Sequence, residues 1–268
     1  MGAARDGNGS HRGVEGVSAL SVQRLMQAAR EALHRIGLDV GRFPGGRTLL
    51  GRRIILFRSF GVDLVLDVGA NEGQYARELR AIGYGGRIVS FEPLPEPFRK
   101  LERHAQRDPQ WEVVNLALGN FDGRAEMHVS ANSVSSSLLG MLPAHQAAAP
   151  DSGYIGVADV EIRRLDSVAD TYLRDGTNPL LKIDAQGFER RILEGSLRSL
   201  PRIVGLQVEL ELEPLYENAT PLTEMIALLE SQGFRLMGLE PGFTDMQSGR
   251  LLQTDGIFFR PSDATTGS

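Results

Sequence analysis

Short apolar runs alternate with helical repeats along most of this chain. Runs rich in Val, Ile, Leu and Phe are typical of buried strands, whereas apolar positions spaced three or four residues apart are typical of helices. Such alternation is the pattern of an α/β fold with a doubly wound, mostly parallel sheet. The runs predict strands at Val62–Asp67, Arg87–Phe91, Glu112–Leu116, Leu180–Asp184, Ile203–Glu211, Phe234–Leu239 and Gly256–Arg260. Helical spacing predicts helices at Gln74–Ile82, Glu96–Gln106, Phe188–Leu197 and Leu222–Gln232.

The end of the pattern differs from the rest. The last two predicted strands are joined by a short stretch rich in turn residues rather than by a helix. Parallel neighbours need a long crossover, whereas antiparallel neighbours can be joined by a turn. The sequence therefore predicts an antiparallel hairpin at the edge of the sheet.

The N-terminal region has a pattern of its own. Residues 1–17 are rich in Gly, Ser and charge, which predicts a disordered tail. Ser21–Gly37 carries apolar residues at spacings of three, four and seven, which predicts an amphipathic helix within a helical extension at 18–60. That helix packs on the protein's own core, pairs with a second subunit in a homodimer, or lies on a membrane surface. The main domain is expected at 61–260, followed by a C-terminal tail at 261–268.

An insertion at about residues 130–156 interrupts the alternation. Two further predicted strands, Arg124–Ser130 and Val157–Arg163, flank it. A loop of this length in a compact domain is usually a lid, a substrate loop or disorder. It contains the serine cluster Ser135, Ser136 and Ser137 and also His145. The serines form either a flexible tether or a substrate contact, and their position after the first strands favours the substrate contact.

Composition narrows the class of protein. The chain has 268 residues, of which 41% are hydrophobic, a net charge of −5 and a pI near 5.6. This acidic balance argues against a nucleic-acid partner, because such binding depends on neutralising phosphates. The absence of cysteine excludes disulfides and thiolate metal sites and suits a cytoplasmic protein. We expect no transmembrane segment, since no run approaches the roughly 18 apolar residues needed.

The stretch from Asp67 to Ala76 resembles a nucleotide-type cofactor loop. A buried strand leads into a turn with Gly69 and Gly73, after which a helix with free N–H groups begins. Asn71 and Gln74 stand where the dinucleotide fingerprint G-x-G-x-x-G has its second and third glycines. The carboxylate of Asp67 would repel a pyrophosphate, but it suits the cationic or amino end of S-adenosylmethionine. The loop therefore favours S-adenosylmethionine over NAD.

Glu92 supports the same interpretation. It ends the second predicted strand, 25 residues after Asp67, close to the roughly 20-residue offset of an acidic residue that binds ribose hydroxyls. Asn115, at the end of the third predicted strand, either hydrogen-bonds an adenine edge or caps a turn. The alternative for the whole region is a βα turn with glycines for packing and a solvated Glu92.

Five stretches together resemble the FkbM family of S-adenosylmethionine-dependent methyltransferases. They are Asp67-Val-Gly-Ala-Asn-Glu-Gly73, Phe91-Glu-Pro-Leu-Pro95, Asn115-Leu-Ala-Leu118, Ser135-Ser-Ser-Leu-Leu139 and Leu181-Lys-Ile-Asp-Ala-Gln-Gly-Phe-Glu189. The resemblance covers roughly Val62 to Arg260. It implies a Rossmann-like class I methyltransferase fold with an antiparallel last strand, and O-methylation of hydroxyls on sugars, glycolipids or polyketide-type acceptors. Gln186 is a departure, because many members carry Glu there.

The resemblance also implies roles for individual residues. Four of them, Asp67, Gly69, Asn71 and Gly73, would surround the methionine part of the cofactor. Glu92 would bind the ribose, and Asn115, Ala117 and Leu118 the adenine. Independently of the resemblance, we expect the serine cluster and Lys182 to contact the acceptor.

Methyl transfer to a hydroxyl also needs a group that takes up the proton. His145 has a suitable intrinsic pKa, Asp184 lies at a strand end that would face the same crevice as Asp67, and Glu209 lies on the neighbouring strand. Asp184 and Glu209 alternatively bind a divalent cation such as Mg²⁺, which would acidify the hydroxyl. Two roles without proton uptake stay open: Asp184 orients the cofactor, and His145 is a solvated loop residue.

These observations predict an S-adenosylmethionine-dependent O-methyltransferase. Two alternatives are a catalytically silent cofactor-binding module that acts through partners and an NAD(P)-dependent oxidoreductase. The missing second glycine disfavours the oxidoreductase.

Overall fold

The computed structural model describes residues 48–261, and the described residues from Leu49 onward belong to one compact unit. The predicted disordered tail, the predicted helix Ser21–Gly37 and residues 262–268 of the predicted C-terminal tail lie outside the described residues.

Helices and strands alternate along the described part of the chain. The strands are β1 (Leu64–Val68), β2 (Arg87–Phe91), β3 (Trp111–Val114), β4 (Ala117–Leu118), β5 (Gly123–Ser130), β6 (Tyr154–Arg163), β7 (Pro179–Ile183), β8 (Gly205–Glu211), β9 (Arg235–Pro241) and β10 (Gln253–Phe259). The α-helices are α1 (Leu49–Ser59), α2 (Gln74–Ala81), α3 (Pro95–Ala105), α4 (Pro143–Ala148), α5 (Leu165–Tyr172), α6 (Glu189–Glu194) and α7 (Leu222–Ser231). Short 3₁₀ turns lie at Pro150–Ser152 and Leu200–Arg202.

A seven-stranded sheet forms the centre, in the order β3-β2-β1-β7-β8-β10-β9. The pairs among β3, β2, β1, β7 and β8 are parallel, and β10 is antiparallel to both of its neighbours. Every residue of β1 and β7 is buried, which explains why these strands are apolar apart from Asp67 and Lys182. The structure therefore confirms the mostly parallel Rossmann-like sheet and the antiparallel hairpin at its edge.

The predicted end of the third strand, Glu112–Leu116, is wrong. In the structure β3 ends at Val114, and the chain then leaves the main sheet. Ala117 and Leu118 pair with β6 in a second sheet of order β4-β6-β5. Apolar residues lie on both sides of Asn115, so the hydrophobic pattern did not show that the two strands belong to different sheets.

The insertion is packed against the rest of the domain. The backbone of Ser137 exchanges hydrogen bonds with that of His128 on β5, and the hydroxyl of Tyr154 donates to the carbonyl of Leu139. The three serines of the cluster are at most 5% exposed. The interpretation of the cluster as a flexible tether is therefore wrong.

Helix α1 is the described end of the predicted helical extension. Ile54 and Phe57 are buried in the same apolar cluster as Val65 of β1 and Phe259 of β10. This helix is thus part of the compact unit, which begins earlier in the chain than the expected boundary at residue 61. Helix α5, which the sequence pattern did not predict, lies between β6 and β7. No helix among residues 48–261 is both long and apolar enough to span a bilayer.

Candidate active site

A cavity of about 700 Å³ opens at the carboxyl ends of the parallel strands. In open α/β sheets this is where ligands bind, close to the point at which the strand order reverses. Here that point is the β1–β7 pair. The cavity brings together eleven of the residues predicted from the sequence: Gly69, Asn71, Glu92, Ala117, Leu118, Ser135, Ser136, His145, Lys182, Asp184 and Glu209.

Four other predicted residues lie beside the cavity rather than on its surface. Asp67 is fully buried and contacts Lys182, and the hydroxyl of Ser137 donates to the backbone carbonyl of Gln186. Asn115 donates from Nδ2 to the carbonyls of Glu92 and Pro93, as a residue that caps a turn does. A Cβ at the fourth residue, Gly73, would lie 2.7 Å from the Trp111 ring, so close packing requires this glycine.

Gly69 allows the ends of β1 and β7 to approach each other. Its φ is +72°, and a Cβ at this position would lie 1.8 Å from the carbonyl oxygen of Asp184. Only glycine fits both constraints without movement of the backbone. Asn71 also has a positive φ, 48°, a conformation that Asn tolerates better than most residues.

Glu92 is held at the cavity wall by two backbone donors. The N–H groups of Asn71 and Leu94 each donate to its carboxylate at 2.8 Å. Burial raises the pKa of Glu92 to about 7, although the two N–H groups act in the opposite direction. Beside Glu92 the wall is apolar and includes Leu116, Leu118 and Phe188.

A buried ion cluster lies below this wall. The Nζ atom of Lys182 lies 3.2 Å from Oδ1 of Asp67 and 3.3 Å from Oδ2 of Asp184. Burial lowers the pKa of Lys182, but Asp184 and Asp67 raise it more, so that the net shift is upward. Lys182 is therefore a fixed cation that orders the two carboxylates.

Gln186 joins Asp184 to Glu209. Its Nε2 donates to Oδ1 of Asp184 and to Oε2 of Glu209, each at 2.9 Å, and the hydroxyl of Tyr216 donates to its Oε1 at 2.6 Å. Burial and the neighbouring Asp184 raise the pKa of Glu209 well above its ordinary value. Among the described residues, no group of three or more Asp, Glu or His side chains is arranged to hold a metal ion. In the sequence, Gln186 stood out only as a departure from the Glu of many family members. That departure was the signal that pointed to this residue.

His145 is buried rather than solvated. It is 3% exposed, its Nε2 lies 3.2 Å from the hydroxyl oxygen of Ser135, and its ring packs on Tyr216 and Phe243. Burial lowers the pKa of His145, which favours the neutral imidazole. The alternative of a solvated loop position is therefore wrong.

A further group of polar residues lines the cavity without having been predicted. The hydroxyl of Tyr75 donates to Oε1 of Gln207 at 2.7 Å, and Arg53 lies over the Tyr75 ring. Glu240 and Asp255, from the last hairpin, line the same region. Burial raises the pKa of Asp255 to about 6. Arg53, Glu240 and Asp255 lie far apart in sequence and match no motif, so only the fold places them together.

Comparison with known proteins identifies the family. The model of the Methyltransferase FkbM domain matches residues 67–236, from the glycine loop to the start of β9. The chain belongs to the FkbM methyltransferase family. The match covers more than half of the chain and confirms the resemblance seen in the sequence.

Individual relatives are more distant. A 2-O-methyltransferase, NoeI, of Sinorhizobium fredii is 24% identical over 213 residues, which cover 77% of this chain and 85% of that protein. A Burkholderia thailandensis 1,6-didemethyltoxoflavin-N1-methyltransferase structure aligns over 93% of each chain at 11% identity and a TM-score of 0.43. An Aeropyrum pernix fibrillarin structure aligns over 73% of this chain and 66% of that one, at 13% identity and a TM-score of 0.42.

Proposed function

We propose that this FkbM methyltransferase transfers a methyl group from S-adenosylmethionine to a hydroxyl of a sugar, glycolipid or polyketide-type acceptor. One observation carries the proposal. A single cavity joins the glycine loop and Glu92 on one side to Asp184, Glu209 and the serine-bearing insertion on the other. A cofactor half and an acceptor half thus meet in one space.

The residues of the cofactor half suit S-adenosylmethionine. The Glu92 carboxylate suits ribose hydroxyls, and the apolar wall with Leu118 and Phe188 suits an adenine ring. Asp184 lines the cavity, and Asp67 and Asp184 together outweigh the single positive charge of Lys182, which favours a positively charged ligand group. When bound, S-adenosylmethionine would supply an electrophilic methyl group on a cationic sulfur.

The acceptor half is rich in hydrogen-bonding groups. Ser135, Ser136 and Gln207 line it together with the carboxylates. A polyhydroxylated acceptor needs donors and acceptors around it, and hydroxyl and amide side chains provide both. The name of the distant relative NoeI, a 2-O-methyltransferase, supports an oxygen acceptor.

Three residues are candidates to take the acceptor's proton. Asp184 directly follows β7, Glu209 lies near the carboxyl end of the adjacent strand β8, and His145 lines the same cavity from the insertion. Glu209 is the strongest candidate among them, because its carboxylate lines the cavity and is bonded by the neutral amide of Gln186 rather than by a cation. Lys182 contacts Asp184 directly, which favours a role for Asp184 in ordering the site.

Binding and turnover test the proposal separately. Calorimetry should show S-adenosylhomocysteine binding with a Kd of about 1 µM or tighter, which is about −8 kcal/mol, and no measurable binding of NAD. Tight NAD binding would favour an oxidoreductase.

Methyl transfer is measured with S-adenosylmethionine labelled on the methyl group and a pool of glycosides, glycolipids and polyketides. Label should appear on an acceptor oxygen, and Glu209→Gln should lower the rate by roughly 10²- to 10⁴-fold with little change in cofactor affinity. Cofactor binding without transfer to any acceptor in the pool would favour the silent binding module.

A further inference from the structure

Gln186 has a conformation that the surrounding residues impose. Its φ is +54°, a left-handed conformation that costs a residue other than glycine on the order of 1 kcal/mol or more. The hydroxyl of Ser137 donates to its backbone carbonyl at 2.7 Å. A Cβ at the next residue, Gly187, would lie 2.7 Å from Cβ of Tyr216, so the loop presses closely on that side chain. The fold therefore fixes where the Gln186 side chain begins.

The orientation of the Gln186 amide is fixed as well. The Tyr216 hydroxyl donates to Oε1, which leaves Nε2 directed at Asp184 and Glu209. The opposite orientation would place the amide oxygen against two carboxylates, where no donor is available. The hydrogen-bond network thus specifies a donor at this point.

The position between Asp184 and Glu209 requires positive character. Both carboxylates bond to the same nitrogen, so their oxygens lie within two hydrogen-bond lengths of each other. Two such groups in a buried site repel each other unless a donor or a cation stands between them. Lys182 contacts Asp184 through the other oxygen, Oδ2, so it does not fill this position. The two N–H groups of the Gln186 amide fill the position between the carboxylates.

We propose that Gln186 is a positioning residue whose amide holds Asp184 and Glu209 together as a divalent cation would, and that a carboxylate at position 186 converts the three residues into a cation site. The positioning role of Gln186 is the first half of this inference, and it rests on the proposed methyl transfer. The cation site created by a carboxylate at position 186 is the second half, and it does not. Three carboxylates at one point form an oxygen ligand set of the kind that Mg²⁺ and Mn²⁺ bind.

The cation half is tested on Gln186→Glu by thermal unfolding, with MgCl₂ or MnCl₂ as the only additive and EDTA as the reference. In EDTA the variant should melt below the wild type, because a third carboxylate repels the other two. Either cation should raise its melting temperature saturably, by about 5 °C at a hundredfold excess over Kd. The wild type and Gln106→Glu, which adds the same charge at an exposed position, should not respond.

Two results would overturn the cation half. One is a Gln186→Glu protein that shows no saturable response to either cation. The other is a wild type that responds at the same cation concentration as the variant, because the amide would then not be the group that occupies the position.

The positioning half is tested by kinetics with Gln186→Met and Tyr216→Phe. Gln186→Met keeps the length of the side chain and removes its N–H groups, so kcat should fall by about 10- to 100-fold. The KM for S-adenosylmethionine should stay within about twofold. Tyr216→Phe should lower kcat less, and the double variant should match Gln186→Met, because both changes act through one amide.

Additive effects of the two changes, or a loss confined to KM, would overturn the positioning role. A wild type that transfers no methyl group would overturn the proposed function instead. The cation titration needs no turnover, so the two failures are distinguishable.

Discussion

At the scale of single residues, Glu92 links protonation to ligand binding. Burial raises its pKa to about 7, so the neutral carboxyl is favoured in the free protein at lower pH. The charged form is the better acceptor for ligand hydroxyls. Below pH 7, a ligand that needs the charged carboxylate of Glu92 must therefore displace the proton from this carboxyl group.

We predict that affinity for S-adenosylhomocysteine rises with pH between 6 and 8. Below the pKa of Glu92 the affinity should rise by up to about tenfold per pH unit, and above that pKa it should level off. Calorimetry in buffers of constant ionic strength measures this slope.

Glu92→Gln is the matched control, because the ligand ionises in the same way in both measurements and only the titrating carboxyl of Glu92 is removed. It should bind about 10- to 100-fold more weakly at pH 8, the range expected when a hydrogen bond to a charged group is lost. It should also lose most of the pH slope. An unchanged slope in Glu92→Gln would assign the dependence to another group.

At the scale of elements, Arg53 ties helix α1 to the rest of the domain. Its guanidinium bonds to Glu78 of α2 at 2.6 Å and to Glu240 of β9. Arg53 and Glu240 are each 5% exposed. Removing one partner of a buried pair leaves an uncompensated charge, which is more costly than removing an exposed pair.

We predict that Arg53→Met lowers the free energy of unfolding by roughly 3–5 kcal/mol. The exposed Arg52→Met in the same helix should change it by less than about 0.5 kcal/mol. Urea unfolding of both variants measures the difference. Adding Glu240→Gln to Arg53→Met should recover part of the loss, and a simple sum of losses would show that the pair is not coupled.

At the scale of the whole molecule, the cavity follows from the topology of the sheet. Strand order reverses between β1 and β7, so the loops after these strands diverge to opposite faces and leave a crevice. The insertion and the last hairpin close this crevice with residues such as His145 and Asp255.

We predict that deletion of residues 1–16 leaves the melting temperature and turnover unchanged, because a segment so polar and rich in glycine buries too little surface to offset its ordering entropy. Deletion through Gly37 should lower the melting temperature or change the oligomeric state, since it removes the amphipathic helix that the sequence predicts. Thermal unfolding and light scattering measure both effects. An unchanged protein after the longer deletion would contradict the role of that helix.

Local pattern alone determined the succession of strands and helices along the chain and the position of the glycine loop before α2. Apolar runs mark buried strands wherever they lie, and the glycine turn before α2 is a local requirement of the backbone. Glu92, Asp184 and Glu209 were identifiable because carboxyl ends of parallel strands share one edge of the sheet. The family motifs added Ser135 and Ser136.

Only the tertiary structure decided which groups meet. The bridge of Gln186 between two carboxylates, the burial of His145 and the ion pairs of Arg53 join residues from distant parts of the chain. The break between β3 and β4 was also hidden, because apolar residues lie on both sides of it and a single polar residue, Asn115, did not mark a change of sheet. Burial and pairing depend on what packs against a side chain, and that is a property of the fold rather than of any segment.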